Sequence, residues 1–245
     1  MNSTKEIASH KVFPMTYLRK VVFSISYGKL TKECYSALME FIKSTFGFEV
    51  TDELLDNLSN RPLYFGTDDH TLEWCIGDES LEILLTQEVY HSYVSSLLPL
   101  VENARSFLKV IERDANGITL HKINLIPVTL SSYDDLKDNA AQIFTESILS
   151  KWKGDVYQKN DNALVYLSKA IGDNGEDLEV ITGFISKGGV AEDQPSRYIL
   201  DITARYSEDV SSDKMLDLVT FMNDQLYEVF IEAVVDDIIK SMEDA

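Results

Sequence analysis

The chain reads as an α+β protein, an antiparallel sheet with long helices packed on one face, built as a duplicated strand–helix–three-strand meander–helix unit. Three observations predict this. Apolar residues alternate with period two in short runs bounded by turn residues, the signature of half-buried strands. Two long stretches, 91–112 and 213–242, instead carry helical apolar spacing. The same order of elements then occurs twice, at an offset of about a hundred residues.

After a polar lead-in, 1–16, the first half spans 17–117. Val21, Phe23, Ile25 and Tyr27 share one face of a strand that Gly28 ends. Thr31 caps a helix running to Phe46, with Leu38, Phe41 and Ile42 inward and Gly47 as its stop. A short helix, Asp52–Leu58, follows. Three strands then come at Pro62–Gly66, Thr71–Ile76 and Ser80–Gln87, separated by Thr67-Asp-Asp-His70 and Gly77-Asp-Glu79. A helix from His91 to Glu112, interrupted or restarted near Pro99, ends at Asn116-Gly117.

The second half, 118–245, repeats the order and is fused to the first in one unit. Ile118–Pro127 is a strand, and Ser132 with Asp135 opens a helix reaching Leu149. Strands follow at Ala163–Lys169, Leu178–Ile185 and Arg197–Tyr206, joined by the turns Gly172-Asp-Asn-Gly175 and Gly188-Gly189…Pro195. One long helix, Asp213–Met242, closes the chain. Residue identity between the halves is negligible, so the repeat is one of form. The order resembles the two-fold saddle of the TATA-binding protein, a resemblance of topology that implies nothing about DNA.

The chain has 245 residues and a formal net charge of −19. Such a surface repels a phosphate backbone, which argues against direct nucleic-acid binding. The charge is uneven: 201–245 holds 12 acids and 3 bases, whereas 1–45 holds 7 bases and 3 acids. No signal-peptide core and no membrane-length apolar run is present, so a cytoplasmic protein without membrane attachment is expected. Cys34 and Cys75 fall in apolar patterns with no CxxC pairing, which reads as two reduced, buried thiols.

The chemistry-bearing residues are sparse. His10, His70, His91 and His121 show no metal-ligand spacing, and no phosphate-binding or nucleophile-elbow motif occurs, so no metal, cofactor or catalytic residue is expected. The Asp68-Asp69-His70 triplet reads as a polar turn. On the strand 197–206, Tyr198, Leu200, Ile202, Ala204 and Tyr206 face the helices, and Arg197, Asp201 and Arg205 line the opposite face. Those three, with His121 and Asn124, are the candidate ligand contacts. The alternative is a solvated sheet face. On the closing helix, Asp217, Asp224, Glu228 and Glu232 form an acidic stripe that either docks a basic protein partner or serves solubility.

The strand Leu120-His-Lys-Ile-Asn-Leu-Ile-Pro127 resembles the central strand of a sporadically distributed bacterial family of about 250 residues with no assigned function. Arg19–Tyr27 is similar to that family's opening strand, and 200–240 to its closing strand and helix. Relatives tend to carry Arg where this chain has His121. The resemblance implies an accessory role such as defence or toxin neutralisation. The expectation is therefore a non-catalytic, acidic binding or regulatory protein acting through a protein partner. An enzyme or small-molecule or anion binder using the polar sheet face is the alternative, and the oligomeric state is left open.

Overall fold

The computed structural model describes residues 13, 16–128, 140–150, 164–170, 176–185 and 196–243. Its first half contains β1 (Leu18–Tyr27), α1 (Lys32–Phe46), α2 (Asp52–Asp56), β2 (Leu63–Gly66), β3 (Leu72–Ile76), β4 (Ser80–Thr86), a π-helical turn (Tyr93–Leu97) and α3 (Leu98–Val110). The second contains β5 (Ala115–Val128), α4 (Glu146–Leu149), β6 (Leu164–Ala170), β7 (Glu176–Ile185), β8 (Ser196–Tyr206), α5 (Met215–Ala233) and α6 (Asp236–Glu243). The predicted turns at 172–175 and 188–195, and the capping pair Ser132 and Asp135, lie outside the described residues.

Among the described residues the strands form one antiparallel sheet in the order β2-β3-β4-β1-β5-β8-β7-β6. The order is the same read from either end, with β1 and β5 equivalent, so the two halves meet through their first strands. Phe23 lies opposite Leu120 and Ile25 opposite Ile118 across that central pair, all four fully buried. The saddle topology with repeated units therefore holds. Its reason is local: each first strand places apolar side chains on one face at period two, and a one-residue slip would turn them to water.

All the long helices lie on that face. The Tyr27 ring meets Phe107 of α3 at 5.4 Å between centroids, and Phe107 meets Phe41 of α1 at 5.5 Å. On the second half, α5 buries Val219, Met222 and Leu226 against β5 and β8. Tyr198, Leu200, Ile202 and Ala204 are buried beneath it, as their alternation predicts. α1 ends where expected, with Gly47 at φ 73° and its N–H donating to the Lys43 carbonyl. Only glycine adopts that angle without strain.

Four boundaries depart from the sequence reading. The helix expected from 91 begins as a π turn capped by Ser92 Oγ, which accepts from the Ser95 N–H, and becomes α-helical at Leu98 beside Pro99. It ends at Val110, with Glu112 rather than a glycine in the left-handed region at φ 53°. Asn116 and Gly117 consequently lie inside β5. The single closing helix is broken at Val234, and the helix expected through Leu149 is broken at Phe144. One cause accounts for both breaks: the two segments bridge each other. The Thr145 N–H donates to the Ala233 carbonyl and the Val235 N–H to the Ile143 carbonyl, each at 2.9 Å. Two β-branched residues, Val234 and Val235, favour the extended form there.

The buried Tyr27 hydroxyl donates toward the carbonyls of Gly77 (2.8 Å) and Ser80 (3.0 Å), tying β1 to the β3–β4 turn. Burial pushes its pKa up. Tyr27→Phe leaves those carbonyls short of a donor and should cost about 1–3 kcal/mol. Urea denaturation should show a lowered midpoint with an unchanged m-value.

Candidate functional site

Period-two alternation gives the sheet a second face, turned away from the helices. Cross-strand register arranges it in rows. Leu84, Val22, His121, Thr203 and Glu179 form one, and Thr86, Lys20, Ile123, Asp201 and Ile181 the next, with Leu125 beside Ile199 beyond them. Most of these residues are half-buried by their neighbours, and Thr203 is buried.

Two side-chain pairs cross this face diagonally, one of them an Arg–carboxylate ion pair. His121 Nε2 donates to Asp201 Oδ1 at 2.5 Å, and Arg205 Nη1 to Glu179 Oε1 at 2.5 Å. Arg197, Asp201 and Arg205 thus share the face, as predicted, but Asp201 and Arg205 pair across strands rather than along their own. Cross-strand partners lie closer than residues four apart on one strand, which are about 13 Å from each other. Charges already satisfied in this way are poor ligands for a free anion.

Asn124 does not belong to this group. It lies on the helix face, buried, with its Nδ2 donating to the Leu200 carbonyl at 3.2 Å. There it satisfies a backbone acceptor opposite a β1 bulge between Leu18 and Lys20. The acidic stripe is also incomplete. Asp217, Glu228 and Glu232 are exposed, but Asp224 is half-buried with one carboxyl oxygen out of solvent. The Tyr93 hydroxyl donates to Thr220 Oγ1 (2.8 Å), which itself donates to the Leu216 carbonyl, so the π turn lies across α5 at this level. Leu226 is buried and Phe230 half-buried.

The structure adds a polar cluster on the helix face. Lys122 Nζ donates to Asn223 Oδ1 at 2.6 Å and lies 5.6 Å from the Tyr90 ring centroid, a cation–π arrangement. Burial lowers its pKa to about 8, and the Asp224 charge only partly opposes this. Burial likewise pushes Tyr93 up to about 12. A signal for the cluster was present in the sequence: Lys122 falls between Leu120 and Asn124 on the inward positions of β5. What the alternation did not indicate was a partner for it, because Asn223 is supplied by a helix 101 residues away.

Among the described residues no group of three or more His, Cys, Asp or Glu side chains converges to hold a metal ion, and no helix is long and apolar enough to cross a membrane. The thiols differ from each other: Cys34 is buried, with Sγ 3.3 Å from the Ile111 carbonyl, and Cys75 is half-buried with its pKa raised by burial. No protein-family model matches the chain, and no curated protein matches it significantly.

The sign of the Lys122 effect is set by its lowered pKa. The unfolded chain binds the proton more tightly, so folding is penalised below pH 8 and stability rises as pH climbs from about 8 to about 10.5. The penalty at pH 7 is about 3 kcal/mol, from roughly 1.4 kcal/mol per unit. Lys122→Met removes it while Asn223 loses a donor, and should stabilise the protein by about 1–2 kcal/mol at pH 7. The difference in melting temperature between the variant and the original protein should shrink between pH 8 and pH 10.

Proposed function

We propose that this is a non-catalytic binding protein that presents the helix-free face of its sheet to a protein partner. The observation that carries the reading is the composition of that face. Val22, Leu84, Ile123, Leu125, Ile181 and Ile199 lie among charges that are already paired, His121 with Asp201 and Arg205 with Glu179. Covering such a surface removes apolar area from water while these two cross-strand pairs stay satisfied. A mixture of aliphatic and polar groups of this kind is typical of non-obligate protein interfaces. The net charge of −19 supports a basic partner, drawn in at long range by the acidic surface that includes Asp217, Glu228 and Glu232. The resemblance of the β5 strand to a bacterial family without assigned function supports an accessory role for the complex.

The test is affinity capture from the native host with two variants. Ile123→Glu/Ile199→Glu should abolish recovery of a protein that the original chain captures, with the melting temperature lowered by no more than a few degrees. Asp217→Asn/Glu228→Gln/Glu232→Gln should weaken capture at low salt and leave it unchanged at high salt, with an unaltered melt. Undiminished capture by the face variant, or a small molecule co-purifying with the original chain and lost in the variant, would overturn the proposal.

A further inference from the structure

Lys122 takes an inward position on β5, where an amine meets little water. Val21 of β1 and Ile202 of β8 lie opposite it on its two sides, both buried. Asn223 Oδ1 of α5, a neutral acceptor, takes a hydrogen bond from its amine at 2.6 Å. The Tyr90 ring, in the connection that follows β4, lies 5.6 Å from the same amine. Among the described residues Lys122 forms no ion pair. Lys122, Tyr90 and Thr220 nonetheless keep part of their surface in water. The charges that act on this cluster are acidic: Asp224 on Lys122, and Asp224, Asp217 and Glu102 on Tyr93.

These surroundings make the amine a nucleophile. Burial disfavours the ammonium form and lowers its pKa to about 8, so about a quarter of the amine is uncharged at pH 7.5. A solvated lysine, with a pKa near 10.4, is only about 0.1 % uncharged at the same pH. Desolvated lysines of this kind are the amines that form Schiff bases. Packing does not account for the group: a neutral amide would donate to Asn223 without the cost of burying a cation.

We propose that Lys122 is a covalent binding site for small, uncharged aromatic aldehydes, held as an imine. The free amine adds its lone pair to the carbonyl carbon, and the C–N bond forms as the carbonyl π pair moves to oxygen. A nitrogen proton passes to that oxygen. A second proton, from solvent, then releases the oxygen as water and leaves an iminium. The remaining N–H donates to Asn223 Oδ1, and its loss to solvent gives the neutral imine. Tyr90 offers a ring face to the aryl group of the ligand. Asp224, Asp217 and Glu102 disfavour an aldehyde that carries a negative charge.

The test adds benzaldehyde and sodium cyanoborohydride to the full chain at about pH 7.5 and about 150 mM salt, where long-range repulsion is screened. The hydride fixes any imine as a benzylamine, which peptide mass spectrometry locates. Lys122 should be modified about tenfold faster than exposed lysines such as Lys214. Its uncharged fraction is about 200-fold larger, and the lower reactivity of a weaker base offsets part of that advantage. 4-Carboxybenzaldehyde, which is anionic, should react at Lys122 about fivefold more slowly than benzaldehyde, with a ratio closer to one at the exposed lysines. Modification of Lys122 no faster than Lys214, or only after unfolding in urea, would overturn the site. Equal rates of the two aldehydes at Lys122 would overturn the ligand class.

Discussion

The pairing of β1 with β5 is the contact on which the rest of the molecule depends. Each half alone is a four-stranded sheet ending in an unpaired strand with a largely apolar inner face. Joining them removes two edges and places Phe23, Ile25, Ile118 and Leu120 in one continuous buried layer. A long-range contact of this kind carries a loop-closure cost and has to be specified by pattern. Identical alternation in the two strands supplies that specification.

Placing the seam at the centre determines what the helices can cover. α3 and α5 touch on the covered face, and α5 also packs on β5. Lys122, Tyr90, Tyr93, Thr220 and Asn223 meet there. A lysine in this position costs stability, and the hydrogen bond from its amine to Asn223 defines one relative placement of β5 and α5. Buried polar contacts confer that kind of specificity better than they confer stability.

The opposite face has no such demand. Antiparallel sheets tolerate water on one side, so its residues are constrained only by strand alternation and by their cross-strand neighbours. The two diagonal side-chain pairs are products of register: His121 reaches Asp201, and Arg205 reaches Glu179, because adjacent strands lie about 4.8 Å apart. A largely aliphatic surface crossed by two side-chain pairs results.

Sequence alone determined the element types, their order, the inward sets of β1 and β8 and the repeat of form. Each of these follows from periodicity within ten or fifteen residues, where local sterics and the location of apolar side chains agree. It also placed Arg197, Asp201, Arg205 and His121 on a common face. Tertiary structure alone decided which of them pair and that Asp224 is half-buried, with its charge acting on Lys122. It also decided that helical structure is interrupted around Phe144 and at Val234. Those outcomes depend on groups roughly 80 to 100 residues apart, such as Ile143 with Val235 and Lys122 with Asn223. Local periodicity carries no record of a partner that distant, since the hydrogen bond or burial that selects the conformation exists only once the two segments meet.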